Sequence, residues 1–350
     1  MKRKLLMIGI WILLSAGVVV PAGCSSADIL PPVPEPDAGE PVAVSFSLYC
    51  YTAEVEEKAN TRAEEVRQDM AVGKTFRVYA YPKDATDLTS PKATAIYTVI
   101  TAATVTTSAM ATGDLYLYRG AYDLYLVSYN LESETPELIA GTSNIKTGNG
   151  KDVMYTILKN VVVQPNSTGD SKLDVELNNP FTRLGAQVKV KVKGNSNSPV
   201  AITGIDQPNY IKITGLPLSL IYGLGNSDWD AIPAASSADV YKDSYTFGGF
   251  TSENKNDYRI PWVSAPSVVL PVDGSQLLNF DVNLTVWYEN KTKSVTDSYE
   301  ASIQKTLLPG MTYEFEFTLT FYGILSPTDL TLAVREYDTI TLSSDGLGGN

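Results

Sequence analysis

The chain has 350 residues, of which 44% are hydrophobic and 19% charged, with a net charge of -12 and no histidine. This acidic balance excludes the basic surface that nucleic-acid binding requires. Cys24 and Cys50 are the two cysteines, so Ser-His-Asp catalysis, Cys-His catalysis and zinc sites built on these residue types are also excluded. We therefore predict no enzymatic activity, no cofactor and no metal.

Residues 1–23 have the pattern of an export signal. Positive charges at residues 2–4 precede an apolar stretch, residues 5–20, which is too short and too close to the N-terminus to favour a transmembrane helix. The Pro-Ala-Gly-Cys sequence that follows resembles a bacterial lipobox and predicts lipidation of Cys24. An ordinary signal peptide with an incidental cysteine is the alternative. Several prolines make residues 24–40 a stiff spacer between the lipid and the folded part.

Residues 41–70 combine a strand pattern with a polar tether. Every second residue at the start is apolar, which predicts a strand with one buried face. These residues are Val42, Val44, Phe46, Leu48 and Cys50. Residues 52–68 are polar and charged, which is typical of an exposed, protease-accessible segment. We predict that the strand is a temporary plug of the core, released by cleavage between Arg62 and Ala63 or, as second choice, after Arg67.

The sequence downstream predicts an all-β protein. Short alternating segments rich in Thr, Val and Tyr recur at regular spacing, as in a β-sandwich. A boundary near Asn178 divides the folded part into one domain over residues 71–178 and another over residues 179–342. Alternating valines and lysines in residues 181–193 predict a half-buried strand with a solvated lysine face. Residues 223–250 are polar and rich in glycine, and predict a surface excursion.

The C-terminal tail is extended again, and its apolar residues share one face that Glu336 and Asp338 interrupt. These apolar residues are Leu330, Leu332, Val334, Ile340 and Leu342. A strand at the end of the chain, followed by a flexible tail over residues 343–350, is a candidate donor to another subunit. An edge strand of its own domain is the alternative, and the pattern favours neither.

Several segments stand in a recognisable order along the chain. They are the lipobox-like Cys24, Asn60-Thr61-Arg62-Ala63, Gly73 to Tyr81, Gly120 to Asn130, and Phe181-Thr182-Arg183-Leu184. Together they resemble the fimbrillins, or type V pilins, of Bacteroidetes. The resemblance implies two transthyretin-like β-sandwich domains in tandem. It also implies export as an outer-membrane lipoprotein and cleavage by an arginine-specific surface protease at Arg62-Ala63.

The resemblance further implies a mode of assembly. Loss of the first strand leaves a hydrophobic groove, and a strand from another fimbrial subunit fills it by β-strand addition. The protein is then expected in an extracellular fimbria that supports adhesion, and the lipid attaches it to the outer membrane before processing. The family includes anchor and tip subunits, so the position of this subunit in the fimbria stays open.

A monomeric glycan-binding surface lipoprotein is the alternative function. Trp229, Trp262 and Trp287 are candidates for stacking on sugars, although packing inside a sandwich is the more common role of such aromatics. Asp228 and Asp230 are a possible carboxylate pair of a glycosidase, but nothing in the sequence fixes the separation that this chemistry needs.

Overall fold

The computed structural model describes residues 41–48, 70–102, 109–164, 172–177, 181–229, 241–272, 276–321 and 331–336. All regular elements in these ranges are β-strands, which confirms the all-β prediction. Within the same ranges, no helix is long and apolar enough to cross a membrane. All of the predicted lipidation and processing residues, and one residue of the predicted plug strand, lie outside the described ranges. They are Cys24, Cys50, Arg62, Ala63 and Arg67.

The described part of the chain contains 21 strands. In chain order they are β1 (Val42–Leu48), β2 (Thr75–Pro82), β3 (Ala93–Thr101), β4 (Ala109–Leu117), β5 (Gly120–Ser128), β6 (Asn144–Thr147), β7 (Met154–Val163), β8 (Lys172–Leu177), β9 (Thr182–Arg183), β10 (Ala186–Gly194), β11 (Ile202–Ile205), β12 (Tyr210–Leu216), β13 (Leu220–Gly223), β14 (Asp228–Trp229), β15 (Asp243–Phe247), β16 (Trp262–Val263), β17 (Ser267–Val269), β18 (Leu277–Tyr288), β19 (Lys293–Gln304), β20 (Thr312–Thr320) and β21 (Thr331–Glu336).

The first core lies against an eight-stranded sheet with the order β8-β1-β4-β3-β2-β5-β7-β9. Its strands alternate between apolar and polar residues, because successive side chains of a strand point to opposite faces. In β4, for example, Leu115 and Leu117 are buried while Met110 and Tyr116 are exposed. The buried faces of these strands form one apolar cluster, which includes Phe181 beyond the predicted domain boundary.

The second core lies between two five-stranded sheets. One has the order β16-β10-β20-β21, with β17 also paired to β10, and the other has the order β11-β18-β12-β15, with β19 paired to β18. The alternation predicted for β10 is confirmed, because Val188, Val190 and Val192 are fully buried. Lysines on its other face also form ion pairs with the neighbouring strand β20. The Nζ atom of Lys191, for example, lies 2.6 Å from Oε2 of Glu314.

A third cluster of buried residues joins the two halves of the chain. Strand β6 pairs with β13 of the later half, and β9 pairs back with β7 of the earlier half. Aromatic rings continue across this junction, with centroid distances of 5.3 Å between Tyr155 and Tyr222 and 5.5 Å between Tyr222 and Trp229. Strands therefore cross the predicted boundary near residue 178 in both directions, and the division into two domains stays a prediction.

The prediction of a surface excursion over residues 223–250 was wrong for its described parts. These parts contain β14 and β15, and they bury Leu224, Trp229, Phe247 and Phe250. The segment is polar on average, but a few large apolar side chains in it pack into the cores. The average composition of a segment does not show which single residues are buried.

Candidate assembly site around the first strand

Strand β1 is an interior strand of the large sheet. It runs antiparallel to β4, where Val42 pairs with Leu117 and Val44 with Leu115. On its other side it runs parallel to β8, from Ala43 opposite Lys172 to Leu48 opposite Leu177. We call the space that β1 occupies between β4 and β8 the first-strand slot. Both edges of β1 are hydrogen-bonded, so its removal leaves two strands with unpaired backbone groups.

The inward side chains of β1 belong to the first core. Val42 and Val44 are each 2% exposed, and Phe46 is 1% exposed. Burial of an apolar side chain of this size is worth on the order of 1.5–3 kcal/mol, so an empty slot is strongly unfavourable. The side chain of Leu48, like all of Cys50, lies outside the described part of the structure. The predicted inward face is thus buried at every position where its side chain is described.

Phe46 fills a pocket made by aromatic rings from β2 and β3. Its ring centroid lies 4.8 Å from that of Tyr97 at 85° and 6.0 Å from that of Phe76 at 79°. Phe76 and Tyr97 are themselves stacked, 5.3 Å apart, and Phe181 packs edge-on against Phe76 at 5.8 Å. Such edge-to-face pairs are favourable because the positive edge of one ring meets the negative face of another.

Tyr97 also holds the backbone of β1. Its hydroxyl donates a 2.6 Å hydrogen bond to the carbonyl oxygen of Val44. At this point the pairing register between β1 and β4 shifts, between Val44 and Phe46. Burial raises the pKa of Tyr97 above its ordinary value of 10.0. The hydroxyl therefore keeps its proton and acts as a donor at physiological pH.

Gly113 gives the Tyr97 side chain the room to reach across β4. A Cβ atom at Gly113 would lie 2.6 Å from the carbonyl oxygen of Ile96 and 2.7 Å from Cγ of Tyr97. Any larger residue would therefore push the tyrosine out of position. A glycine inside a strand often marks a close approach of another group, but the pairing of Gly113 with Tyr97 depends on the register of β3 and β4, which the structure supplies.

Strand β8 depends on β1 for its place in the sheet. It stands at the end of the strand order, and within the described residues β1 is the strand to which it is hydrogen-bonded. Val175 and Leu177 of β8 are buried. On the outer side, the Ser45 hydroxyl donates a hydrogen bond to the Asp174 carboxylate, and its oxygen lies 3.4 Å from the Leu173 carbonyl oxygen. Removal of β1 would therefore leave β8 without its ladder.

The C-terminal strand β21 pairs antiparallel with β20 of its own chain, from Thr331 opposite Thr320 to Glu336 opposite Phe315. Leu332 and Val334 belong to this strand, whereas Leu330, Ile340 and Leu342 lie outside the described residues. The alternative of an edge strand in its own domain thus describes the isolated chain. Donation of the strand to another subunit stays a prediction.

Two of the candidate sugar-binding tryptophans are inside the protein. Trp229 is 7% exposed and its Nε1 donates to the Leu184 carbonyl oxygen at 3.0 Å. Trp262 is 6% exposed and donates to the Ile205 carbonyl oxygen at 3.1 Å. Trp287 is half-buried. The first two have no free face for a sugar, which removes most of the sequence support for the glycan-binding alternative.

The acidic residues give no further candidate site. Among the described residues, no group of three or more carboxylate or cysteine side chains is arranged to hold a metal ion. Asp228 is exposed and accepts a hydrogen bond from the Trp229 backbone N–H, and Asp230 lies outside the described ranges.

The fold and this site together define an all-β protein whose main sheet is completed by a strand from the N-terminal part of the chain. The sequence profile of the fimbrillin-like family matches residues 61–333, which is most of the chain. The chain therefore belongs to the fimbrillin-like family, as its resemblance to the fimbrillins implied. The matched region begins after β1 and one residue before Arg62.

Solved structures of low sequence identity align with most of this chain. A proposed cell adhesion protein from Bacteroides fragilis aligns with a TM-score of 0.58 and 17% identity over 87% of this chain and 100% of its own. One from Bacteroides uniformis aligns with a TM-score of 0.49 and 12% identity over 87% and 99%. The fimbrial anchor protein Mfa2 from Porphyromonas gingivalis gives a TM-score of 0.36 and 12% identity over 84% and 95%. No curated protein matches the sequence.

Proposed function

We propose that the protein is a structural or tip subunit of a cell-surface fimbria, which supports adhesion and assembles by strand exchange after arginine-specific proteolysis. Membership of the fimbrillin-like family supports the fimbrial role and the location at the cell surface. The proposal takes the two larger cores as two transthyretin-like sandwich domains in tandem. The single observation that carries it is the position of β1, an interior strand that is attached to the rest of the chain by a polar, arginine-containing segment.

The pairing of β1 with β4 and β8 shows which contacts an incoming strand has to replace. Once the tether is cut, β1 is held only by non-covalent contacts, which a strand running in the same direction can replace one for one. The incoming strand forms the same ladders with β4 and β8 and fills the same apolar positions, as in β-strand addition. Other fimbrial subunits supply this strand. The C-terminal strand β21 of this chain is its own candidate donor to a further subunit.

Two arginines of the folded part are largely buried and ion-paired, Arg77 with Glu137 and Arg183 with Asp152. Arg259 pairs with Asp257 at the surface, and Arg119 is exposed in the turn between β4 and β5. Arg62 and Arg67 lie instead in the polar segment that joins β1 to β2. An arginine-specific surface protease cutting there separates β1, together with the lipid on Cys24, from the rest of the chain.

The test is to recover the protein from the cell surface and determine its N-terminal residue and its size. We expect a chain that begins at Ala63 or after Arg67 and sediments as part of a larger assembly. The double variant Arg62→Lys/Arg67→Lys keeps the charges but resists the protease, and we expect it to stay unassembled with the lipid attached.

Arg119→Lys is the matched control, because Arg119 is an exposed arginine outside the tether, in the turn between β4 and β5. It is expected to assemble normally. A double tether variant that assembles like the wild type, or a surface form that still begins at Cys24 and remains monomeric, contradicts the proposal.

A further inference from the structure

The pocket around Phe46 restricts which strand can replace β1. We propose that the first-strand slot accepts a donor strand with the pattern apolar-x-apolar-x-aromatic, and that this strand comes from a different subunit rather than from a second copy of this chain. This inference rests on the proposed function, because it concerns the strand that enters the slot after β1 has left.

The aromatic position follows from the walls of the pocket. Phe46 is 1% exposed and meets two rings edge-on, and those rings, Phe76 and Tyr97, are themselves fully buried and stacked on each other. Close-packed walls of this kind relax only partly around a smaller side chain, so a cavity remains. A leucine or valine at this position would fill less of the volume and lose both edge-to-face contacts.

The register of the donor is set by Tyr97. Its hydroxyl binds the carbonyl oxygen of Val44, a backbone group that any inserted strand presents. The aromatic residue must therefore follow two positions after the residue that accepts this hydrogen bond, since Phe46 follows Val44 by two. A shift by one residue turns every inward side chain to the other face, and a shift by two takes the aromatic ring out of the pocket.

The tail of this chain does not have the required pattern. Its apolar face presents Leu330, Leu332 and Val334, none of which is aromatic. In the other possible register, Tyr337 would take the position of Phe46, and Arg335 would then take the position of Val44. That position is buried, because Val44 is only 2% exposed. Burial of an unpaired guanidinium group at such a position is strongly unfavourable. Neither face of the tail thus matches the slot. A processed copy of this chain has lost residues 41–48 and has only this tail to donate, so the donor strand comes from a different subunit.

The experiment uses the full-length protein, cut in the tether with an arginine-specific protease and mixed with labelled peptides in excess. The three peptides are residues 41–48, the same peptide carrying Phe46→Leu, and residues 329–339 of the tail, which include Tyr337. Bound peptide is measured by fluorescence anisotropy, and loss of the original β1 fragment by mass spectrometry. We expect the Phe46 peptide to bind at least about tenfold more tightly than the other two, from the loss of two aromatic contacts.

Equal binding of the Phe46 and Leu peptides, or of the tail peptide, overturns the inference while leaving strand exchange intact. If β1 is not released, or no peptide enters, the proposed function fails and the inference with it. Tyr97→Phe separates the two contacts, because it keeps the ring and removes the hydroxyl. All peptides should bind it more weakly with an unchanged preference for phenylalanine, and a lost preference contradicts the pocket argument.

Discussion

Replacement of Phe46 by alanine tests whether β1 is a removable part of the core. The side chain is 1% exposed and contacts the rings of Phe76 and Tyr97. Truncation of a buried phenylalanine to alanine costs about 3–5 kcal/mol through lost transfer energy and the cavity that remains. This is a large fraction of the roughly 5–15 kcal/mol that separates a folded from an unfolded domain. We expect the unprocessed Phe46→Ala variant to be less stable by about this amount.

The measurement is urea-induced unfolding of the unprocessed chain, followed by tyrosine and tryptophan fluorescence. Tyr116→Ala is the matched control, because it removes an aromatic ring from the neighbouring strand β4 at a side chain that is 55% exposed. Its free energy of unfolding is expected to stay within about 0.5 kcal/mol of the wild type.

The processed chain gives a second, stricter comparison. After cleavage and loss of β1, the Phe46→Ala variant and the wild type have the same sequence, so their stabilities must become equal. Hydrogen exchange in β8 should rise in both, since its backbone ladder is lost with β1. A destabilisation below about 1 kcal/mol in the unprocessed chain would refute the assigned core position. A difference that persists after processing would refute the release of β1.

Three further outcomes are expected. Gly113→Ala should weaken the unprocessed chain by displacing Tyr97, and the double variant Gly113→Ala/Tyr97→Ala should lose less than the sum of its two single variants in urea unfolding. Burial by itself would raise the pKa of Asp123, but N–H donors from Asn160 and Asp84 and the Lys159 ammonium outweigh it, so the net pKa is lowered. The stability that Asp123 contributes is then present above the unfolded-state pKa, near 4, and is lost as the pH falls through the lower folded value. The Asp123→Asn variant should therefore have a lower free energy of unfolding than the wild type at pH 7. The two free energies should be much closer at pH 2, as measured by urea unfolding at each pH. Trp229→Ala should lower the melting temperature, because the ring is buried at the junction of the two halves, and glycan-array binding should not change specifically; intact stability with lost glycan binding would revive the glycan-binding alternative.

Periodicity alone was sufficient to predict the strand character of β1 and β10. In both, apolar residues alternate with polar ones, and a strand sends successive side chains to opposite faces whatever its neighbours are. The same rule failed for residues 223–250. The described turn at residues 224–227 separates the buried Leu224 from the buried Trp229, so these two residues follow no repeating spacing that a sequence pattern could reveal.

The pairing partners of β1 could not be predicted. It contacts β4 and β8, which lie far away along the chain, and nothing in residues 42–48 encodes that distance. The hydrogen bond from Tyr97 across Gly113 likewise depends on three strands meeting in one register. Contacts between distant segments are fixed by the packing of the whole core, in which side chains fit together at nearly crystalline density.

The sequence by itself determined that this is an all-β chain with an apolar first strand, because composition and alternation are local properties. It also predicts an export signal and a cleavable, arginine-containing tether, and these two stay predictions. Only the tertiary structure decided that this strand lies inside a sheet rather than at its edge, and that Phe46 occupies an aromatic pocket. The physical reason is that strand neighbours and buried cavities arise from contacts between residues distant in sequence, which local patterns do not contain.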